Sequence, residues 1–279
     1  MKNKKITFTN RELKKMLNSH KLWLHDEKGG MRIDLSNANL TGVNLSNVDL
    51  TDADLTGVNL RYANLTNADL RYIDLRYANL SNANLININL RYANLRYVDL
   101  INADLTDANL TGVDLTNADL RCANLTGIDL TNANLNNADL TNANLNNANL
   151  NNANLSNANL SNIKTNYHTL GYSLACPEEG NFIGYKKADK HLVKLLILED
   201  SKRSSATTLK CRCDKAKVLD IENIETGEKV NEITSDYDKN FIYKVGEIVE
   251  VDNFNEDRWN ECTTGIHFFL NKENAINYL

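Results

Sequence analysis

The chain has a single proline, Pro177, in 279 residues. Residues 31–163 contain no proline, no lysine and no glutamate, so every charge there is Arg or Asp. Proline removes a backbone donor, and its absence from this stretch suits a long, unbroken hydrogen-bond ladder. Cysteine is scarce: five residues, four of them late, in an odd and irregular set. That pattern excludes a disulfide framework and points to a reducing compartment. No segment approaches the ~18 continuous apolar residues of a membrane span. No secretory apolar region follows the basic start Met1-Lys2-Asn3-Lys4-Lys5, so a cytoplasmic location is expected. There is no Walker loop, no dinucleotide glycine fingerprint and no serine elbow, which removes the commonest motif-based enzyme assignments.

What the chain has instead is a period. Leucine occupies every fifth position from Leu35 to Leu160, 26 times without a miss. Two residues before each stands a small or β-branched apolar residue, from Ile33, Ala38, Val43 and Val48 to Ala158, and between the two is always Asn or Asp. A fixed period over half a chain marks a solenoid. Five residues fit neither an α-helix, whose apolar stripe would drift around the axis, nor an open strand of period two. The pattern fits a chain that turns about a right angle every five residues, four units to a square coil. Stacked at the ~4.8 Å strand spacing, 26 units would make a rod of about 31 Å.

The units Ala38-Asn39-Leu40, Ala53-Asp54-Leu55, Ala63-Asn64-Leu65 and their companions resemble the pentapeptide-repeat family. The resemblance implies a right-handed quadrilateral β-helix with Leu and Ala/Val/Ile inward and the other three positions toward solvent. Within the inward set, Val48, Ile88 and Ile128 are 40 apart, as are Val58 and Val98, with alanines such as Ala68, Ala78 and Ala108 between. On three of the four faces large and small residues therefore alternate from coil to coil, which lets facing layers interdigitate.

Four segments are expected: an N-terminal helical cap (1–30), the solenoid (31–163), a linker (164–175) and an α+β domain (176–279). Their charges are uneven, at +5 for residues 1–30, −6 for 31–163 and −4 for the remainder. Residues 9–24 read as a helix with Asn10 as N-cap, Leu13, Met16, Leu17 and Leu24 on one face, and Lys28-Gly29-Gly30 as its end. A basic arm is possible on charge, but a solenoid's open end needs cover, which favours a cap. In the tail, Val193–Leu198, Lys217–Ile221, Tyr243–Val245, Glu247–Val251 and Gly265–Leu270 read as strands, and Asn271 caps a helix over Lys272–Tyr278.

One surface feature breaks the repeat. Arg-Tyr replaces Ser/Thr-Asn at 61/62, 71/72, 76/77, 91/92 and 96/97, with Arg121-Cys122 as a variant. Stacking at 20 residues puts Arg71 and Tyr72 under Arg91 and Tyr92, and Arg76 and Tyr77 under Arg96 and Tyr97 on the neighbouring face. Arg61 and Tyr62 fall on the opposite side. Arg and Tyr are enriched at interface hot spots, so these eight residues form a candidate partner-binding patch. The same residues also fit a structural role, with each ring covering neighbouring backbone and each Arg pairing with an Asp such as Asp74. The Asn-rich stretch Thr131–Asn162 predicts hydrogen-bonded Asn ladders and a structural face.

Some relatives of the repeat family mimic DNA and bind topoisomerases. About 31 Å of duplex carries about 18 charges, against a net −6 for residues 31–163, so full mimicry is disfavoured.

The tail resembles an uncharacterised domain that follows pentapeptide repeats in phage, bacterial and large-virus proteins. The motifs are Lys202-Arg203-Ser204-Ser205-Ala206-Thr207, Lys210-Cys211-Arg212 with Asp214–Leu219, and Trp259-Asn260-Glu261-Cys262 with Gly265–Phe269. No activity is implied. Lys202, Arg203, Arg212 and His267 are its surface candidates, and Lys202-Arg203 could hold a phosphate, although a solvated turn fits better. Cys176, Cys211, Cys213, Cys262 and His267 do not have a standard zinc spacing, and Cys262 with His267 is a poor nucleophile–base pair. The expectation is a non-catalytic protein-binding or scaffold protein that modulates a host or viral protein. It needs no cofactor or metal, and neither nucleic acid nor membrane is its partner. The rivals are a topoisomerase-binding DNA mimic and an enzyme in the tail, the latter requiring a cleft that gathers His267, Glu261, Arg203 and Arg212.

Overall fold

The computed structural model describes residues 6–172, 175–258 and 263–278. The chain divides into two compact units, Met1–Gly171 and Tyr172–Leu279.

The first unit opens with helix α1, Asn10–Leu24. Its N-cap is Thr9 rather than Asn10, because Glu12 stands three residues after Thr9 and closes a capping box. The Glu12 amide donates to Thr9 Oγ1 at 3.2 Å, and the Thr9 amide donates to the Glu12 carboxylate at 2.8 Å. The helix ends at Leu24, well before Gly29, where Asp26 adopts a left-handed φ of 55°. Leu13 and His20 are buried, while Met16, Leu17 and Leu24 are half-buried. This segment covers the first coil: the Met31 amide donates to Ser19 O (3.1 Å), Ile33 to His20 Nδ1 (3.2 Å), and Asn39 to Ile6 O (2.7 Å).

From residue 31 onward each five-residue unit is a β-turn followed by one bridge residue. The leucine carbonyl accepts from the amide three residues on, as in Ala63 N to Leu60 O at 3.0 Å. The third turn residue has φ near +60°, for example Asn67 at 56° and Gly57 at 67°. Asn, Asp and Gly tolerate that conformation best, which accounts for their predominance there. The Asn or Asp between the inward residues has two tasks. Its backbone bridges the residue 20 positions on, as Asp34 to Asp54 to Asp74, in parallel. Its Oδ1 accepts the amide two residues ahead, as Asp49 from Thr51 at 2.9 Å, forming an Asx turn. One coil therefore takes 20 residues, or four units.

The leucines are buried from Leu35 to Leu155, as are the paired Ala, Val and Ile from Ala53 to Ala153. Near the ends Val43, Val48, Ala158 and Leu160 are only half-buried. The ladder also runs past Ile163: Lys164 bridges Asn144 and Leu170 bridges Asn149. Residues 164–170, expected as linker, thus extend the last coil.

The second unit is α+β. Strands β1 (Phe182–Ala188), β2 (His191–Ile197), β5 (Lys215–Asn223) and β8 (Ile248–Glu250) form an antiparallel sheet in the order β1-β2-β5-β8. Strands β3 (Arg203–Ser205), β4 (Cys211–Cys213) and β9 (Ile266–Phe268) form a second sheet, β3-β4-β9, and β6 (Glu232–Thr234) pairs with β7 (Ile242–Lys244). Reciprocal 2.8 Å bonds between Tyr185 and Phe269 join β1 to the end of β9. Val193, Leu195 and Ile197 pack with Ala216, Val218, Ile221 and Phe268 in the core. Gly184 faces this cluster, and a Cβ there would lie 2.6 Å from the Phe268 ring. Helix α2, Lys272–Ile276, has the expected cap, Asn271, whose Oδ1 accepts from Glu273 N at 2.8 Å.

Candidate functional site: an arginine–tyrosine corner

The Arg-Tyr dipeptides occupy the second and third turn positions. The five tyrosines therefore take the left-handed conformation, with φ of 58–59°. The coil repeat stacks them as the spacing predicts. Tyr72 and Tyr92 have ring centroids 5.5 Å apart at 16°, and Tyr77 and Tyr97 are 5.0 Å apart at 7°. The backbone brings them into line: Tyr72 N donates to Arg91 O and Tyr77 N to Arg96 O, both at 3.1 Å. The four rings are 44–60% exposed. The first column ends on Gly112, where a Cβ would lie 2.7 Å from the Tyr92 ring.

The arginines divide into two classes, decided by the residue two positions earlier. Where it is Asp, the guanidinium folds back onto it. Arg71 Nε lies 2.9 and 3.0 Å from the Asp69 oxygens, Arg76 Nη2 is 2.6 Å from Asp74, and Arg121 Nη2 is 2.7 Å from Asp119. Where it is Asn, the guanidinium lies over the next tyrosine instead: Arg61 over Tyr62 (5.2 Å), Arg91 over Tyr92 (5.4 Å) and Arg96 over Tyr97 (5.9 Å). The arginines of the five dipeptides and Arg121 of the Arg-Cys variant all obey the rule, Arg96 having in addition a 3.9 Å contact to Asp114 of the next coil. Burial pushes the Asp74 carboxyl up, but bonds and charge from Arg76 outweigh it and hold the group below its usual range. Asp119 behaves likewise with Arg121.

Residues 33–162 match pentapeptide repeats in eight copies, and residues 172–275 match a family of unknown function (DUF5758). The chain carries pentapeptide repeats followed by a DUF5758 domain. Its repeat unit is a right-handed β-helix. Among solved structures it is similar to the pentapeptide repeat protein Rfr23 from the cyanobacterium Cyanothece 51142, with 27% identity, covering 56% of this chain and 97% of that one, at a TM-score of 0.31. It is also similar to HetL, involved in heterocyst differentiation regulation in Nostoc sp. Strain PCC 7120 (26% identity, 56% and 94% coverage, TM-score 0.21). A third is QnrB1, a plasmid-mediated fluoroquinolone resistance protein (17% identity, 50% and 84% coverage, TM-score 0.22). No curated protein matches the chain.

On the pentapeptide-repeat unit the acidic residues form short stacks. Asp34, Asp54 and Asp74 form one, and Asp99, Asp119 and Asp139 another, but Asn94 and Asn159 succeed them. Arg76 and Arg121 lie on the carboxylates of these stacks. Asparagine ladders run as expected, with Asn154 Nδ2 donating to Asn134 Oδ1 at 3.1 Å and Asn144 to Asn124 at 3.4 Å.

The C-terminal candidates scatter. Lys202 is exposed and paired with Glu256 at 2.6 Å. Arg203 spends its donors on backbone carbonyls, including Gly180 O (2.9 Å), Leu198 O (2.7 Å) and Glu199 O (2.7 Å), and covers Phe182. Arg212 is not a surface residue. It is buried, donating to the carbonyls of Asn255, Thr264 and Asp257. Both guanidiniums tie loops together. His267 pairs with Arg212 in β-sheet register and lines a cleft that Arg203 and Arg212 do not line. Trp259, Asn260, Glu261 and Cys262 lie outside the described residues, and so does Met1–Lys5. Cys176, Cys211 and Cys213 are buried. Burial pushes the Cys213 thiol far up, so it is inert.

Proposed function

We propose that the pentapeptide-repeat unit is a non-catalytic binding scaffold, quadrilateral in section, that presents Arg71, Tyr72, Arg76, Tyr77, Arg91, Tyr92, Arg96 and Tyr97 to a protein partner. One observation carries this reading: four tyrosines stand stacked and half-exposed at left-handed positions. That conformation costs a tyrosine about 1 kcal/mol, and apart from Tyr62 and Cys122 the same position elsewhere on the rod holds Asn, Asp or Gly. Turn formation alone would select Asn. The rings are therefore there for what they show to solvent, and Tyr and Arg are the residues that dominate interface energies.

The chemistry of the partner follows from the two arginine classes. Arg71 and Arg76 are held closely by carboxylates of their own repeats, whereas Arg91 and Arg96 carry charge over an aromatic face, Arg96 with a longer 3.9 Å contact to Asp114 of the next coil. A complementary surface offers carboxylates beside an apolar or aromatic patch. The resemblance of the tail supports a host or viral protein met in the cytoplasm. Short, interrupted acidic stacks support a topoisomerase-binding DNA mimic less well.

The experiment captures the partner from a host lysate and measures its affinity for the full chain. Replacing Arg71, Arg76, Arg91 and Arg96 by Ser should leave melting nearly unchanged, since exposed ion pairs contribute roughly 0–1 kcal/mol each. Affinity should fall at least about 100-fold. An Arg61→Ser/Arg121→Ser variant should bind as the parent does. Unchanged affinity of the quadruple variant would refute the corner as the binding surface.

A further inference from the structure

A cleft of about 800 Å³ opens in the C-terminal unit, between β1, the β6–β7 hairpin, the end of β9 and α2. Its volume lies in the range of small-molecule sites, ~300–1,000 Å³. The walls are apolar and aromatic, with Phe241, Phe269 and Tyr278 among them. Its charged groups are Lys186, Lys187, Lys210, Asp236 and Asp238, with His267 beside them.

These charges are not matched in pairs. Asp236 is committed to the backbone, accepting the Asp189 amide at 2.9 and 3.1 Å. Asp238 caps its own turn, accepting the Asn240 amide at 2.9 Å. Lys187 reaches Tyr278 O at 3.3 Å, and Lys210 lies against the Tyr278 hydroxyl at 3.2 Å. Lys186 differs. Among the described residues no carboxylate oxygen lies within the 4.0 Å of an ion pair with its Nζ, and it has no hydrogen-bond partner. Desolvation lowers the pKa of its ammonium; Asp236 opposes the shift and Lys210 adds to it. A partly desolvated ammonium with no carboxylate in direct contact gains from an anion brought to it.

We infer that this cleft binds a small anionic ligand, a carboxylate or phosphate group on an aromatic or apolar body, with Lys186 and Lys210 holding the anion and Phe241, Phe269 and Tyr278 enclosing the body. This site is separate from the Arg-Tyr corner and does not rest on it. Carboxylate and phosphate share the chemistry of recognition, and the choice of probes distinguishes them.

The test is calorimetric titration of the full chain with benzoate, indole-3-acetate and phenylphosphonate, and with inorganic phosphate and neutral benzamide as comparisons. At least one aromatic anion should bind ten-fold or more tightly than both comparisons, and the preferred head group identifies the class. Lys186→Met, which keeps the volume and removes the charge, should weaken that anion ten-fold or more. Lys244→Met, at a lysine outside the cleft that is paired with Glu247, should not. A second readout does not depend on a variant. In the reductively ¹³C-methylated chain, the Lys186 signal should titrate below the other lysines and move up when the anion is bound. Failure of every aromatic anion to bind, equal binding by Lys186→Met, or a Lys186 titration unmoved by ligand would overturn the assignment.

Discussion

At the scale of the residue, one position decides what each surface arginine does. Asp two residues earlier folds the guanidinium back onto a carboxylate, and Asn releases it onto the neighbouring ring. The signal was present in the sequence as Asp69, Asp74 and Asp119 against Asn59, Asn89 and Asn94, but it could be read only once the turn geometry was known. Two predictions belong here. The Asp74 and Asp119 carboxyls are held below their ordinary range in the folded state. Their contribution is therefore complete above the unfolded value of ~3.9 and is lost as pH falls through the folded values. An Asp74→Asn/Asp119→Asn variant should lose less melting temperature than the parent between pH 6 and pH 3; an equal loss would show that these pairs contribute nothing. The tyrosines allow a second comparison. Tyr62 shares the left-handed turn, with φ of 58°, but the residue one coil above it is Asn82 rather than another tyrosine. Tyr62→Asn should melt at or above the parent. Tyr77→Asn should be less stable than Tyr62→Asn by about 0.5–1.5 kcal/mol, the worth of an aromatic pair. Thermal melts of the two variants decide the matter, and equal stability would mean the stack is decorative.

At the scale of the element, the solenoid was legible and half of the tail was not. A five-residue period with invariant Leu leaves few folds open, because each unit must turn, bridge and bury in the same way. The N-terminal helix starts within a residue of the expected place, and Glu12 makes Thr9 rather than Asn10 its cap. In the tail, β2, β5, β7, β8 and β9 are legible as β-branched or apolar runs. Strands β3 (Arg-Ser-Ser), β4 (Cys-Arg-Cys) and β6 (Glu-Ile-Thr) are short and mostly polar or mixed, and β1 carries a Gly and two Lys in seven residues; pairing with neighbouring strands, rather than local pattern, makes them strands. The cleft was invisible for a related reason, since Lys186, Lys210 and Asp236 are distant in sequence and meet only through tertiary structure. The sharpest test at this scale concerns the ladder's core. Leu90 is 1% exposed, and Leu90→Asp would bury an unpaired charge with no room to relax. Loss of cooperative unfolding in the solenoid is expected. A melting temperature within about 2 °C of the parent would contradict an inward leucine column.

At the scale of the whole molecule, the proposed partner surface and the proposed ligand cleft lie on two separate bodies. The repeat unit is a rigid support whose hydrogen bonds are spent on its own ladder, so its specificity must come from the outward side chains at two of its five positions. Over most of the rod those are Ser, Thr, Asn, Asp and Gly, and large groups gather at the corner, with Arg61, Tyr62, Ile86, Ile101 and Arg121 outside it. The arginine rule makes that account sharper than a charge count. Partner affinity should depend chiefly on the two guanidiniums that no carboxylate in their own repeat holds. The direct measurement is the affinity of the captured partner for two double variants of the full chain, Arg91→Ser/Arg96→Ser and Arg71→Ser/Arg76→Ser. The account predicts a loss of more than about ten-fold for the first, several-fold greater than for the second. Parental affinity in Arg91→Ser/Arg96→Ser, or the greater loss in Arg71→Ser/Arg76→Ser, would contradict it.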